Sequence, residues 1–146
     1  MSHVAAVDLE VKDLEALDAA CERLGTVELA RDVHQYKWWG THVGDYPIPA
    51  GFTKAELGRC DHVIRLKGNR SAYEVGVVQK DGRYQLLWDF YGQHGAALQK
   101  AIGKDGALLK CAYGTEAAKR AARRQGFRVV REQVLANGKV KLTVQR

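Results

Sequence analysis

The stretch from Cys60 to Gly92, CDHVIRLKGNRSAYEVGVVQKDGRYQLLWDFYG, constrains the fold more than any other part of the chain. Apolar and polar residues alternate within it over residues 62–66, 72–79 and 84–91, which is the period of a β-strand. Turn residues separate the segments, and Asp81-Gly82 has the residue types that a tight type I′ hairpin requires. The pattern therefore predicts three consecutive strands joined by hairpins.

The third predicted strand carries apolar side chains on both of its sides. Its alternation places one set on one face, Tyr84, Leu86, Trp88 and Phe90, and a second set on the other face, Leu87 and Tyr91. Both faces of the sheet then need a cover of other residues. We expect one α+β domain over residues 1–146, with a mainly antiparallel β-sheet and helices packed chiefly on one face.

The segments before the predicted strands suggest a β-α-β start. Val7, Leu9 and Val11 alternate with acids and predict a first strand. Asp13 has the chemistry of a helix N-cap, and Gly25 stands where a left-handed C-terminal cap is expected. A short strand over residues 26–30 follows.

The segments after the predicted strands are mainly helical. A short helix is expected over 96–102, and residues 107–113 fit either a helix, which we favour, or a buried strand. Thr115 is expected to cap a further helix over 116–125. Residues 127–135 and 139–145 predict a hairpin through Asn137-Gly138.

Residues 31–58 form a long loop that holds both prolines and several aromatic side chains. Thr53 and Glu56 have the spacing of a capping box and predict one helical turn. Such a loop is often a lid, a binding loop or an edge cover. Trp38 and Trp39 could stack on nucleic-acid bases or anchor the loop to the sheet. Anchoring is favoured, and one ring could anchor the loop while the other stays exposed.

Charge is distributed unevenly along the chain. The net charge is +6, yet residues 1–25 carry two cations against six acids, and residues 99–146 carry twelve cations against three acids. A basic region gains affinity for phosphates by releasing counterions, so the asymmetry is one indication of a polyanionic partner. On composition alone, a solvated surface that keeps the protein soluble is slightly favoured.

The helix predicted over 116–125 concentrates this charge. Alanines at 117, 118, 121 and 122 occupy one side, and cations occupy the opposite side. We expect the alanines to face the sheet and the cations to face outward as a site for nucleic acid or an acidic protein. The predicted site consists of Lys110, Lys119, Arg120, Arg123, Arg124 and Arg128, with Arg131 as reinforcement.

A small-ligand cleft is the alternative hypothesis for function. If the long loop folds over the end of the third predicted strand, one cleft would be lined by Lys37, Trp38, Trp39, Asp89 and Tyr91. Asp89 lies between rings and suits either a general acid with a raised pKa or, as we favour, an acceptor for a loop amide or a partner of an arginine.

Catalytic and metal patterns are weak. Cys60-Asp61-His62 places a thiol, a carboxylate and an imidazole in a row, but Cys60 and His62 would share a strand face that Asp61 does not. A metal site could be assembled from His34, His42, Cys60 and His62, but their spacings match no recognised ligand pattern, and the three cysteines form no CxxC pair. Nucleotide-binding and hydrolase fingerprints are absent. No catalytic residue, metal or cofactor is predicted, and a non-enzymatic role is favoured.

The chain also has no apolar run of the roughly 20 residues that a membrane span needs, and its start is unlike a secretory signal. These features predict a cytoplasmic protein without a membrane partner. A homo-oligomer, or a structural role within a larger assembly, stays open as an alternative.

Several segments resemble the family called domain of unknown function 1257. They are the opening MSH, YEVGVVQKDGRYQLLWDFYG, CAYG and the ending RRQGFRVVREQVLANGKVKLTVQR. That family includes a hypothetical open reading frame of plastids and cyanobacteria, with bacterial and phage members. The resemblance implies a small single-domain protein and supplies no activity, cofactor or catalytic residue. The sequence thus favours a small binding or accessory protein with a basic C-terminal surface.

Overall fold

The structure is a computed structural model that describes residues 2–146. Its elements in chain order are β1 (Val4–Ala6), α1 (Leu14–Leu24), β2 (Val27–Arg31), β3 (His62–Leu66), β4 (Val75–Lys80), β5 (Arg83–Asp89), α2 (Gly92–Ile102), α3 (Ala107–Arg124), β6 (Arg128–Val134) and β7 (Val140–Gln145). Short 3₁₀ turns lie at Lys54–Glu56 and Lys104–Gly106.

Five strands form one antiparallel sheet in the order β1-β5-β4-β3-β2. The three strands predicted from Cys60 to Gly92 are its centre, β3, β4 and β5, and they follow one another as a meander. β1 and β2 lie at opposite edges, and α1 connects them. The predicted α+β class with a mainly antiparallel sheet is confirmed, and β6 and β7 form a second, two-stranded sheet.

The helices cover one face of the large sheet. Leu86 and Trp88 of β5 lie in the same buried cluster as Leu17 of α1 and Leu109 of α3. α1 begins and ends as predicted, because the Asp13 carboxylate accepts hydrogen bonds from the first-turn amides and Gly25 adopts a left-handed conformation with φ 75°.

The long loop between β2 and β3 covers the opposite face. Leu87 points to this side and is fully buried in a cluster that includes Val4, Tyr36, Phe52, Leu57, Cys60 and Val63. The capping-box turn predicted at Thr53 is present, with the Thr53 amide donating to Glu56 Oε1 at 2.8 Å. Two sources of apolar side chains therefore enclose the sheet, helices on one side and loop on the other.

Several details of the secondary structure differ from the predictions. α2 begins at Gly92, about one turn before the helix predicted over 96–102, and the helices predicted over 107–113 and 116–125 are one continuous helix, α3. The first strand is Val4–Ala6 rather than a strand over Val7 to Val11, although the Val7 amide still donates to the Leu86 carbonyl and Val11 exchanges two backbone hydrogen bonds with Tyr84 of β5. Thr115 is not a cap, because α3 runs through it without a break and its hydroxyl donates to the carbonyl of Cys111 at 2.9 Å. A hydroxyl that bonds back by four residues is compatible with a helix interior.

Gly76 of β4 is where the loop meets the sheet most closely. A Cβ built on Gly76 would overlap the ring of Tyr36, which is buried at 3 % exposure. Gly114 of α3 is the matched contrast, since a Cβ there meets nothing within 4 Å.

We predict that Gly76→Ala lowers the free energy of unfolding by about 1–3 kcal/mol, because an overpacked core must shift. Gly114→Ala should instead raise it by about 0.5–1 kcal/mol, since alanine favours a helix interior. Urea unfolding of both variants followed by circular dichroism measures the difference. A stabilised Gly76→Ala protein would contradict the contact between loop and sheet.

Candidate nucleic-acid interface

The C-terminal half of α3 is oriented differently from the prediction. Ala118 and Ala121 are exposed, whereas Lys119 and Arg120 are only partly exposed. α3 packs against α1 and β6 as well as the sheet, and both contribute acids. The expectation that the alanine side is buried and all the cations project outward is wrong, because ion pairing with these acids turns part of the cationic side inward.

Asp13 is the acid at the start of α1. Its Oδ1 accepts hydrogen bonds from the amides of Glu15 and Ala16 at 3.1 and 3.2 Å. Its Oδ2 accepts from Arg120 Nε at 2.7 Å and Arg124 Nη2 at 3.0 Å. Burial raises the pKa of Asp13, but the hydrogen bonds from Arg120 and Ala16 outweigh it and the net shift is downward.

A second group of charges lies at the other end of α1. Arg23 pairs with Glu132 of β6 and lies 3.6 Å from Glu116 of α3. Lys119 Nζ lies 3.2 Å from Glu132 and 3.6 Å from Glu116. The hydrogen bond from Arg23, helped by Lys119 and opposed by slight burial, lowers the pKa of Glu132.

These ion pairs leave fewer free cations in the predicted site. Lys119, Arg120 and Arg124 contact acids of the same chain. Within residues 2–146, no carboxylate lies within 4 Å of the side-chain charges of Lys110, Arg123 and Arg128. A binding role for the predicted set stays a prediction, and its members without an acidic partner are Lys110 near the start of α3, Arg123 at its last turn and Arg128 on β6.

We predict that Asp13→Asn, which keeps the cap, lowers the free energy of unfolding at pH 7 by about 1 kcal/mol, because it removes a partly buried charge pair. The folded pKa of Asp13 lies below its ordinary 3.8, so its stabilisation is complete above that value and is lost as the pH falls through the folded pKa. The gap between the two proteins should therefore narrow as the pH falls below 3.8 and Asp13 becomes protonated. Asp13→Ala is the control, since it also loses the cap and should stay destabilised at every pH. A gap that does not change with pH would contradict the ion pairs.

β6 and β7 form a two-stranded antiparallel sheet, here called the ribbon. The side of the ribbon that faces the helices carries Glu132 with half-buried Val129, Val140 and Leu142, and towards its ends it carries the exposed Val134 and Val144. The opposite side, here called the solvent face, consists of three cross-strand pairs, Arg128 with Gln145, Arg131 with Thr143, and Gln133 with Lys141. All six of these residues are exposed.

A β-bulge decides the composition of the solvent face. The register shifts between Val129 and Arg131, so Val130 has no partner on β7. Without that extra residue, Arg128 and Arg131 would point to opposite sides, since side chains alternate along a strand. The bulge brings both arginines to the solvent face, which then has cations at Arg128, Arg131 and Lys141 and no acid.

Two members of the solvent face, Arg128 and Arg131, belong to the site predicted from the sequence. The other four were not predicted, namely Gln133, Lys141, Thr143 and Gln145. The alternation of Lys141, Thr143 and Gln145 along β7 is visible in the sequence. The contribution of β6 is not, because an unbulged reading separates Arg128 from Arg131.

Asp89 is an acceptor for backbone amides, which is one of the two roles that the sequence favours over a general acid. Its carboxylate is fully buried and accepts hydrogen bonds from the amides of His3, Trp39 and Tyr91, each at 3.1 Å. One side chain thereby ties the N-terminal segment and the long loop to the end of β5. Because both of its oxygens accept hydrogen bonds, the carboxylate can be buried without a cationic partner.

The residues of the predicted cleft are only partly brought together. Trp39 and Tyr91 flank the Asp89 carboxylate through their amides, and their rings are 55 % and 43 % exposed. Trp38 instead packs into the cluster under the loop, so one ring anchors and the other stays exposed. Lys37 Nζ donates to the carbonyl of Arg70 at 2.5 Å. Lys37 lines a groove of about 1000 Å³, but the other four residues of the predicted cleft do not.

The Cys60-Asp61-His62 row serves the fold. Cys60 Sγ donates to the Val33 carbonyl at 3.1 Å, Asp61 Oδ2 accepts from the Gln79 amide at 2.7 Å, and His62 Nδ1 accepts from the Asp32 amide at 3.0 Å. Burial raises the pKa of Cys60 to about 12, which is the opposite of what a nucleophilic thiol needs. Within residues 2–146, no three His, Cys, Asp or Glu side chains are placed to hold a metal ion.

We predict that only Cys111 reacts rapidly with a thiol reagent in the native protein. Cys111 is exposed, whereas burial raises the pKa values of Cys21 and Cys60 to about 12, so only about one part in 10⁴ of either is thiolate at pH 8. Colorimetric titration with a disulfide reagent should show one fast equivalent, and three in denaturant. Cys111→Ser should remove the fast phase. A fast phase that survives in Cys111→Ser would contradict the burial of the other two.

The fold defines an α+β protein in which a two-stranded sheet packs beside a five-stranded antiparallel sheet and its helices. Comparison with known families adds a match over residues 49–143 to the family described as "Protein of unknown function (DUF1257)". The chain belongs to this family, as its segments indicated. No curated protein and no solved structure matches the chain. Among residues 2–146, no helix has the length and apolar character to cross a membrane.

Proposed function

We propose that this protein binds nucleic acid through the solvent face of the ribbon, with Arg123 at the last turn of α3 as an additional cation. The observation that carries the proposal is the one-sided chemistry of that face. Its three cations are exposed and no carboxylate among residues 2–146 lies within 4 Å of them. Arg128 Nη2 donates a hydrogen bond to Gln145 Oε1 at 3.3 Å within the face, but none of the three cations is neutralised by an acid, so their charges remain available to phosphates.

The composition of the face favours nucleic acid over an acidic protein partner. Stable protein interfaces have a core of apolar and aromatic side chains, and the solvent face has none. Its neutral members, Gln133, Thr143 and Gln145, are hydrogen-bonding side chains of the kinds that contact sugar, phosphate and bases. An acidic protein would gain charge pairing there but little apolar burial.

The alternative of a small enzyme or nucleotide-ligand binder has less support. The groove beside Lys37 includes the cations Arg65, Lys67 and Arg70, which suit an anion. Arg65, however, already pairs with Glu28 at 2.9 Å, and Lys37 is held by Arg70. Asp89, the acid expected to act in such a site, has both oxygens occupied by amides.

Fluorescence anisotropy with a labelled 20-residue duplex of mixed sequence tests the proposal. We expect binding at about 50 mM salt that weakens steeply by about 200 mM, because each neutralised phosphate contributes to counterion release. The triple variant R128Q/R131Q/K141Q should bind at least about tenfold more weakly and lower the slope of log K against log salt by about 2–3.

A matched control removes the same charge elsewhere. The control variant K54Q/R59Q/R70Q also replaces three cations with glutamine, so it has the same net charge as the ribbon variant. Lys54, Arg59 and Arg70 are exposed and form no ion pair with another described residue, so their replacement should leave the fold intact. It should retain most of the affinity and the slope. Equal losses in both variants would show a response to net charge alone and overturn the assignment to the ribbon, as would an absence of binding by the unaltered protein at 50 mM salt.

A further inference from the structure

Resting on the proposed function, we infer that the ligand is B-form double-stranded DNA and that the ribbon enters its major groove with the solvent face towards the base edges. The major groove of B-form DNA is about 12 Å wide and admits a two-stranded β-ribbon. The two strands of a ribbon lie about 4.8 Å apart. The backbone therefore fits, with space left on both sides for side chains.

The solvent face presents side chains at regular intervals. Side chains on one face of a strand recur every two residues, about 6.8 Å, which is longer than the axial rise of about 3.4 Å per base pair. Arg131 and Gln133 on β6, and Lys141, Thr143 and Gln145 on β7, follow this spacing. Successive side chains of a ribbon that lies in the groove can therefore reach different base pairs.

Each cross-strand pair combines one cation with one neutral hydrogen-bonding side chain. The cations are Arg128, Arg131 and Lys141, and their partners are Gln145, Thr143 and Gln133. Arginine and lysine donate to guanine, and glutamine forms paired hydrogen bonds with adenine. Threonine can hydrogen-bond to a base edge through its hydroxyl or contact the methyl group of thymine through its own methyl group. The face thus contains side chains that can bind phosphates and side chains that can bind base edges. A surface that binds DNA by charge alone would not need the second kind.

The ribbon is supported from behind, so its solvent face stays free. An isolated two-stranded hairpin is only marginally stable in water. Here Glu132 on the helix-facing side pairs with Arg23 and Lys119, and Cys111 Sγ of α3 lies 3.5 Å from the carbonyl of Gly138 in the turn. The helices therefore fix the ribbon without contacting the side chains that would meet DNA.

Other nucleic acids fit this face less well. The major groove of an A-form RNA duplex is deep and narrow, and side chains cannot read it. Single strands are bound mainly by stacking on aromatic rings, and the solvent face has no ring.

Competition anisotropy with four probes tests the inference: a 20-base-pair DNA duplex, the RNA duplex of the same sequence, one DNA strand alone, and the DNA duplex with a bulky group on the C5 atom of every thymine. The C5 substituent projects into the major groove. The unaltered duplex should bind at least about tenfold more tightly than each of the other three, because only it presents an open B-form major groove.

The variant Q133A/T143A gives a second readout. It removes two neutral side chains, so the salt slope should not change, while the preference for the open DNA duplex over the C5-substituted duplex should fall at least about threefold. Thermal melting by circular dichroism confirms that the exposed substitutions leave the fold intact.

The outcomes separate the two proposals. Equal binding of RNA and DNA duplexes, or indifference to the C5 group, would overturn the major-groove inference and leave ribbon binding to the phosphate backbone in place. A preference for the single strand would also overturn it. If no probe binds at about 50 mM salt, the proposed function itself fails.

Discussion

The need to cover two apolar faces of one sheet governs this structure. Leu86 and Leu87 are adjacent in β5, both are fully buried, and they point to opposite sides. The helices enclose one of these side chains and the long loop encloses the other. The loop is therefore part of the core, held by the ring of Tyr36 over Gly76 and by the bonds of Asp89 to backbone amides.

The contact between α1 and α3 explains where positive charge is available. α1 is acidic at its start and α3 is basic at its end, and Asp13 joins them through Arg120 and Arg124. Partly buried charges are stable only when they are paired. Pairing with acids occupies Lys119, Arg120 and Arg124. It leaves Lys110, Arg123 and the cations of the ribbon without an acidic partner, and the only acid of the ribbon, Glu132, faces the helices.

The candidate site could be predicted only in part, because it depends on one feature within a strand and on contacts between residues far apart in the chain. The local reason is the bulge at Val130, which reverses the alternation that would otherwise place Arg128 away from Arg131. The distant reason is ion pairing between residues about a hundred positions apart, such as Asp13 with Arg120. Neither the presence of a bulge nor the partner of a charge follows from periodicity.

The sequence by itself determined the central meander, the ends of α1, the C-terminal hairpin and the antiparallel α+β class, because alternation, caps and turn residues act over a few neighbouring positions. Only the tertiary structure decided which side of α3 is buried, which strand forms each sheet edge, and which cations stay free. Those outcomes depend on contacts between segments far apart in the chain, and their energies appear only when the chain has folded.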